Sequence, residues 1–296
     1  MKIRRMDGVL GATLDSLKGL YGTSGLRIDT LDRVVIKPGW SIVIGSNGSH
    51  GIAMNFTGAH SVYGEVEMPA RLYQPFVGRS LFDVAEENLD SPDMRLNSLG
   101  IAALCALSQP FISPDALRER GYRSTEGIRH LAGLVREDDV AAVIGYGASI
   151  RPLLGRVREL NVTDMRPPAT FSSLIVGKTV EHGPKGVRVY THESNARVLA
   201  KADVVIITGS SFVNNTFSDL VGAIKKARLV GVFGPSASFV PDVLLDHGLD
   251  FVVNFWIGDP ARFVFDAEND TDMQAVLKMY QRQQLVRPGD EGVLQR

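Results

Sequence analysis

The segment Thr208-Gly209-Ser210-Ser211-Phe212-Val213-Asn214-Asn215-Thr216 crowds hydroxyl and amide side chains just after the apolar run Asp203-Val204-Val205-Ile206-Ile207. A strand that turns here into a helix through Leu220 presents backbone N–H groups, hydroxyls and the positive end of a helix dipole. Those groups suit a carboxylate or phosphate. One helix cap needs one Ser, Thr or Asn, and two serines, two asparagines and a threonine follow Gly209. Polar-ligand binding is therefore expected beside plain capping. A second bend of the same kind, Gly234-Pro235-Ser236-Ala237-Ser238, follows Leu229-Val230-Gly231-Val232-Phe233. Two neighbouring bends of this type point to a shared pocket, although neither names a catalytic residue.

A third bend, Gly145-Tyr146-Gly147-Ala148-Ser149-Ile150, starts the Gly-x-Gly-x-x-Gly dinucleotide fingerprint but carries Ile150 at the third glycine place. Asp164 ends the next strand nineteen residues after Gly145, where a ribose-binding carboxylate would stand. An adenosine-containing nucleotide is the cofactor this arrangement admits. The plainer alternative is a strand-to-helix turn and a solvated strand end.

The histidines are His50, His60, His130, His182, His192 and His247, none paired as His-x-x-x-His, and no Cys-x-x-Cys occurs. A divalent-metal site would have to assemble across the fold. His50, in the polar turn Ser46-Asn47-Gly48-Ser49-His50-Gly51, and His192, beside Glu193, are its candidate ligands. His50 also reads simply as an exposed turn residue. Asn97 is polar within the apolar helix Met94–Ser108 and faces either the second domain or the surface, while Cys105 reads as core. The chain has no Gly-x-Ser-x-Gly elbow, Walker loop or His-Glu-x-x-His, so serine-hydrolase, P-loop and zincin chemistry is unsupported.

The elements that must carry these residues change character along the chain. Met6, Val9, Leu10, Leu14, Leu17 and Leu20 give an amphipathic first helix. Arg33–Lys37, Ser41–Gly45 and Gly51–Phe56 read as an antiparallel meander turning at Pro38-Gly39. Helices are expected over Ser80–Asn88 and Met94–Ser108, closing an α+β domain over residues 1–110. Residues 111–296 then alternate strand and helix. Strands are expected at Val140–Ile144, Val162–Asp164, Val187–Tyr190, Asp203–Ile207, Leu229–Phe233 and Phe251–Val253. Helices are expected at Ile150–Leu160, Ser194–Lys201, Phe217–Ala227, Pro241–His247 and Asp272–Leu285. Continuous Val/Ile runs demand a parallel sheet covered on both faces, which makes this half Rossmann-like and doubly wound. The Pro-, Ser- and Gly-rich stretch Pro167–Lys185 is expected to be irregular, either disordered or a functional flap.

The chain has 296 residues, with 32 Lys+Arg against 33 Asp+Glu and a net charge of −1. That balance disfavours an open basic face for nucleic acid. Hydrophobic residues make up 44% and charged residues 22%, and mean hydropathy is +0.03, ordinary for globular domains. The single Cys105 fits a reducing, cytoplasmic setting. No apolar run approaches a membrane span, and the basic Met1–Asp7 lacks the apolar stretch of a secretory signal.

At Ala202–Gly209, Asn214-Asn215-Thr216, Gly234-Pro235-Ser236-Ala237 and Pro241 the chain resembles the Rossmann-like domain of a family labelled "putative heavy-metal chelation". That family carries an N-terminal domain similar to the enolase N-terminal fold, and residues 6–108 fit it in length and order. The resemblance implies an α/β protein with a pocket between its two domains. The family's Asn-Gly-Thr reads Asn214-Asn215-Thr216 here. If the middle position needs positive φ, Asn tolerates it second best to Gly. Three functions follow as expectations. The first is binding, with or without processing, of a small polar or anionic ligand on the two polar bends, completed by His50, Asn97 and the Gly145–Asp164 elements. The second is a non-catalytic metal or metallophore module using His50 and His192. The third is a nucleotide-cofactor enzyme such as a methyltransferase or dehydrogenase. The expected partner is a small molecule rather than nucleic acid or membrane, and self-association as a homo-oligomer is admitted.

Overall fold

A computed structural model describes residue 6 and residues 8–289, apart from 172, 177–178, 183–185 and 271. The basic segment Met1–Asp7 thus lies outside the described residues except for Met6. Helix α1 (Val9–Ser24) buries Val9, Leu10, Leu14, Leu17 and Tyr21 and ends at Gly25, whose φ of 69° closes the last turn. Strands β1 (Leu31–Lys37), β2 (Trp40–Gly45) and β3 (His50–Met54) form the expected antiparallel meander. Lys37 pairs with Trp40 across Pro38-Gly39, and Gly39 takes φ 85°, which that tight turn requires. Helices α2 (Leu81–Asn88) and α3 (Met94–Ser108) follow, capped by Ser80 and Asp93, which accept from the N–H groups of Phe82 and Arg95. From Asn97 to Ser108, α3 is buried at every position.

Helix α4 (Pro114–Glu119) and strand β4 (Tyr122–Glu126) lead to β5 (Val140–Ile144) and β6 (Glu159–Asp164). The hairpin β7 (Ser173–Val176) and β8 (Thr179–His182) comes next, then β9 (Arg188–Thr191), α5 (Asn195–Lys201) and β10 (Val204–Thr208). Helices α6 (Ser210–Val213) and α7 (Phe217–Gly222), strand β11 (Leu229–Phe233), helix α8 (Asp242–Asp246) and strand β12 (Phe251–Ile257) complete the alternation. The chain continues through α9 (Pro260–Asn269), α10 (Met273–Tyr280) and β13 (Gln281–Pro288).

One eight-stranded sheet has the order β4-β13-β12-β11-β10-β5-β6-β9. Strands β12, β11, β10, β5, β6 and β9 are mutually parallel, and β13 and β4 extend the edge antiparallel. Counted along the chain, the parallel part has the doubly wound order 3-2-1-4-5-6, whose direction reverses between β5 and β10. The fold is mixed α/β, a largely parallel sheet with a small antiparallel one, as the strand grammar predicts.

Several elements depart from expectation. Ile150–Leu160 is not a helix. Ala148–Leu153 forms a short 3-10 turn with Pro152 inside it, and the chain is back in a strand by Glu159. Pro152 lacks the N–H an α-helix would need. The expected helix Asp272–Leu285 stops at Tyr280, because from Gln281 the backbone pairs antiparallel with β12. Where described, Pro167–Lys185 holds a 3-10 turn at Pro168–Phe171 and the β7–β8 hairpin rather than a structureless flap. The remaining six of its residues lie outside the described ones.

Side chains along the central strands alternate between two cores. Ala142, Ile144, Val205 and Ile207 join α1, α2 and α3, while Ala141, Val143, Val204 and Ile206 pack on Leu131, Ile150 and Leu153. A third core lies on the far face of the small sheet, where Ile42, Ile44 and Ile52 meet Phe263, Met273, Val276 and Leu277 of α9 and α10. The meander is thus clasped between α3 and the C-terminal helices. Across the boundary expected near residue 110 the core is continuous, with Leu99, Ile101 and Leu104 in one cluster with Phe212, Phe239 and Val240. Each such buried side chain contributes about 1.5–3 kcal/mol. Among the described residues no helix is long and apolar enough to cross a membrane.

Candidate functional site

Where the strand order reverses, the C-terminal ends of β5, β6, β10 and β11 open into a cavity of about 940 Å³. That volume suits a small organic molecule. Gly145, Gly147 and Asp164 stand on its wall, as do Thr208, Ser210, Ser211, Asn214 and Thr216. Gly234, Pro235 and His192 line it as well. Gly209, Asn215, Ser236, Asn97 and His50 do not.

Gly145 adopts φ 88°, and a Cβ there would stand 3.0 Å from Thr208 Cβ, so the turn after β5 presses directly on the end of β10. Gly147 differs. Its φ of −159° is extended backbone open to any residue, and an added Cβ would meet nothing within 4 Å. Ile150, at the third glycine place, is buried in the second core. The expected helix N-terminus is missing here, because the segment is the 3-10 turn already described.

Asp164 is committed to this turn. It accepts from the Tyr146 N–H at 2.7 Å and pairs with Arg166 at 2.9 Å. Burial alone would raise its pKa, but Arg166 and the N–H groups of Tyr146 and Arg166 hold its carboxyl below the usual range. The Arg166 guanidinium lies 4.8 Å above the Phe171 ring, which stacks on Tyr146 at 4.5 Å.

The polar bend after β10 is largely satisfied from within. Thr208 Oγ1 and Ser210 Oγ lie 3.0 Å apart, Ser211 Oγ donates to the Thr208 carbonyl, and Thr216 Oγ1 donates to Asn214 Oδ1. Asn214 Nδ2 donates to Tyr63 OH at 2.8 Å, and Asn215 Nδ2 to the Ser91 carbonyl at 3.0 Å. Asn215 does take the left-handed φ, 57°. Behind the bend, Asn97 Nδ2 donates to the carbonyls of Phe212 and Val213 and to Asn215 Oδ1, while its Oδ1 accepts from the Asp90 N–H. Gly209 brings the two bends together, since a Cβ there would lie 2.8 Å from the Ala237 nitrogen. Ser236 Oγ accepts from the Met54 N–H of β3, and Cys105 Sγ approaches the Pro235 carbonyl at 3.6 Å. The bends converge on one cavity, but Asn97, Asn215 and Ser236 hold its wall from behind and are not placed to touch a ligand. Their polar side-chain atoms are taken by one another and by backbone groups. Burial pushes the Cys105 thiol up to about 12, so it is no thiolate.

His50 requires correction as a ligand. The Asp29 carboxylate accepts the N–H groups of Asn47 and Ser49, which folds the Gly-rich turn so that His50 enters β3 and is 4% exposed. Its ring packs against Phe263 at 5.7 Å, Nδ1 lies 3.2 Å from the Gly48 carbonyl, and Nε2 has no hydrogen-bond partner among the described residues. Burial lowers its pKa below the ordinary value, so the folded protein keeps it neutral at pH values where the unfolded chain is protonated. The stability it permits is complete above about pH 6.5 and falls with more acid, by at most about 1.4 kcal/mol per pH unit. Urea unfolding of His50→Leu between about pH 5 and 7.5 is expected to show a flatter slope than the unmodified protein, and equal slopes would refute this.

His192 reaches the cavity with 49% of its side chain exposed, 3.7 Å from Glu193. Among the wall residues that sequence reasoning misses are His60, Arg151, Arg166 and Lys278. Arg166 carried a local signal, two places after the strand-end carboxylate. Lys278 carried none, since α10 comes to the cavity only through the tertiary fold. Among the described residues no three His, Cys, Asp or Glu side chains gather as a metal site. His60, His192 and Asp164 share the cavity, yet Asp164 is neutralised by Arg166. This donor set does not fit a heavy metal held by the protein alone.

The DUF364 family model, described as "Putative heavy-metal chelation", matches residues 129–284, and a second model of the same description, DUF4213, matches residues 22–108. The uncharacterized protein MJ0500 of Methanocaldococcus jannaschii is 23% identical over 174 residues, 57% of this chain and 58% of that protein. The matched part thus spans little more than half of that relative. A crystal structure of a DUF364 protein of unknown function from Desulfitobacterium hafniense superposes with a TM-score of 0.67 at 21% identity, covering 94% of this chain and 98% of that one. The DUF364 protein PH1506 of Pyrococcus horikoshii, also of unknown function, gives 0.65 at 18% identity, covering 94% and 99%. At these identities the two structures share the fold.

Proposed function

This chain belongs to the DUF364 family, described as "Putative heavy-metal chelation", and from that premise we propose that it binds a small polar or anionic molecule in the cavity at the strand-order reversal. The observation that carries this reading is the meeting of the Gly145–Gly147 and Thr208–Thr216 turns over a ligand-sized cavity between β5 and β10. In open α/β sheets, that position is where ligands sit. Since the donor set does not suit a protein-held metal, a metal handled here arrives already inside an organic ligand.

Gly147 supplies the test. It stands on the cavity wall, its backbone suits any residue, and open space surrounds the place of its Cβ. Gly147→Phe is therefore expected to fill the cavity, moving the melting temperature by no more than about 3 °C while weakening small-molecule binding at least about tenfold. Unchanged affinity in a folded variant would refute the site.

The strand order and the left-handed Gly145 support a second reading, an adenosine-containing cofactor. Against it stand the 3-10 turn where a pyrophosphate would need a helix N-terminus and the engagement of Asp164 with Arg166. A thermal-shift panel of adenosine cofactors separates the two. At a hundredfold excess over Kd a true cofactor raises stability by about 2.7 kcal/mol.

A further inference from the structure

Resting on that reading of the cavity, we infer the class of its ligand: an organic molecule with at least two negative charges and a flat apolar body, held by Arg151 and Lys278 without a metal ion bound by the protein. The charged side chains on the wall are Arg151, Arg166, Lys278 and Asp164. Asp164 and Arg166 neutralise each other in a two-point ion pair, through Nε at 3.0 Å and Nη2 at 2.9 Å. Arg151 and Lys278 are left over, and neither forms an ion pair with a described residue. They come from separate elements, the 3-10 turn after β5 and helix α10, so one ligand reaching both needs two acceptor groups set apart. His60 adds no fixed charge, because burial and the nearby Arg166 lower its pKa.

Beyond the polar bends and the glutamines Gln274, Gln281 and Gln283, much of the wall is apolar. Trp40, Met54, Phe56, Val62, Phe233 and Phe255 contribute to it, and they come from both halves of the chain. Arg151 and Lys278 are themselves exposed and stand at the solvent edge of this apolar wall, so their attraction for counter-charge is strongest at low salt. A small hydrophilic dianion would leave those aromatic faces unused, and a neutral apolar molecule would leave both cations unpaired. A dianion with an aromatic body answers both.

The probes are naphthalene-2,6-dicarboxylate and its neutral diamide, followed by the naphthalene fluorescence and by thermal shift. The dicarboxylate is expected to bind at least about tenfold tighter than the diamide, and increasingly weakly as salt is added. Arg151→Ala and Lys278→Ala are each expected to lower dicarboxylate affinity about three- to tenfold and to leave the diamide unchanged. A chelator is expected to change neither. If the diamide binds as tightly as the dicarboxylate, or the double variant keeps the preference, the charge assignment is overturned while the cavity remains a binding site. If dicarboxylate binding requires added divalent metal and disappears with chelator, the metal-free part is overturned. If neither probe binds the unmodified protein at millimolar concentration, both the inference and the underlying reading of the cavity are overturned.

Discussion

Asn97→Asp is expected to destabilise the protein by about 4 kcal/mol or more at neutral pH. Asn97 is fully buried, and its amide nitrogen donates to Phe212 O at 2.9 Å, Val213 O at 2.8 Å and Asn215 Oδ1 at 2.9 Å. A carboxylate of the same shape would aim a negative oxygen at three acceptors with no donor between them. Burial and those acceptors would raise its pKa, so the folded variant would bind a proton that the unfolded chain releases above about pH 4. The sign is then opposite to that of His50. Stability of the variant should recover as the pH falls toward the unfolded carboxyl value, and urea midpoints at neutral and mildly acid pH read this directly. A variant as stable as the parent at neutral pH would show that the clamp is not what holds the bend after β10.

Gly51→Ala is expected to cost about 3 kcal/mol or more, although it adds one methyl group. That carbon would lie 2.0 Å from the Ala102 carbonyl oxygen and 2.4 Å from the Ala106 nitrogen, both backbone atoms of α3. Neither can swing aside as a flexible side chain would, so β3 must lift from the helix. Gly19→Ala is the matched control. It lies mid-helix in α1 with nothing within 4 Å of its added carbon, and it should stabilise the chain by about 0.5–1 kcal/mol. Denaturant unfolding of the pair checks both signs, and equal effects would show that the strand–helix contact is looser than its geometry.

The parallel strands were legible because burial on both faces leaves unbroken runs such as Val204-Val205-Ile206-Ile207. Strand β13 was not legible. Gln284 is polar yet 1% exposed, because its amide bonds the Ile112 carbonyl and Ser124, residues far away in the chain. The same limit governs the site. That polar bends gather at strand ends follows from local composition, but whether Asn97 or Ser236 faces a ligand or a backbone group depends on partners more than a hundred residues distant. His50 shows the converse. A turn rich in Gly, Ser and Asn suggested exposure, and the single carboxylate of Asp29 turned it into the entrance of a buried strand.

Helix α3 is sheathed all round, by the meander and α2 on the N-terminal side and by the bends of the large sheet on the other. The two matched segments, 22–108 and 129–284, therefore share one continuous core through α3. A gene cut between them would encode one fragment with a naked helix and another with an empty furrow where that helix belongs. For the same reason the crevice between them cannot gape by hinged rotation without unwrapping the helix that both halves share.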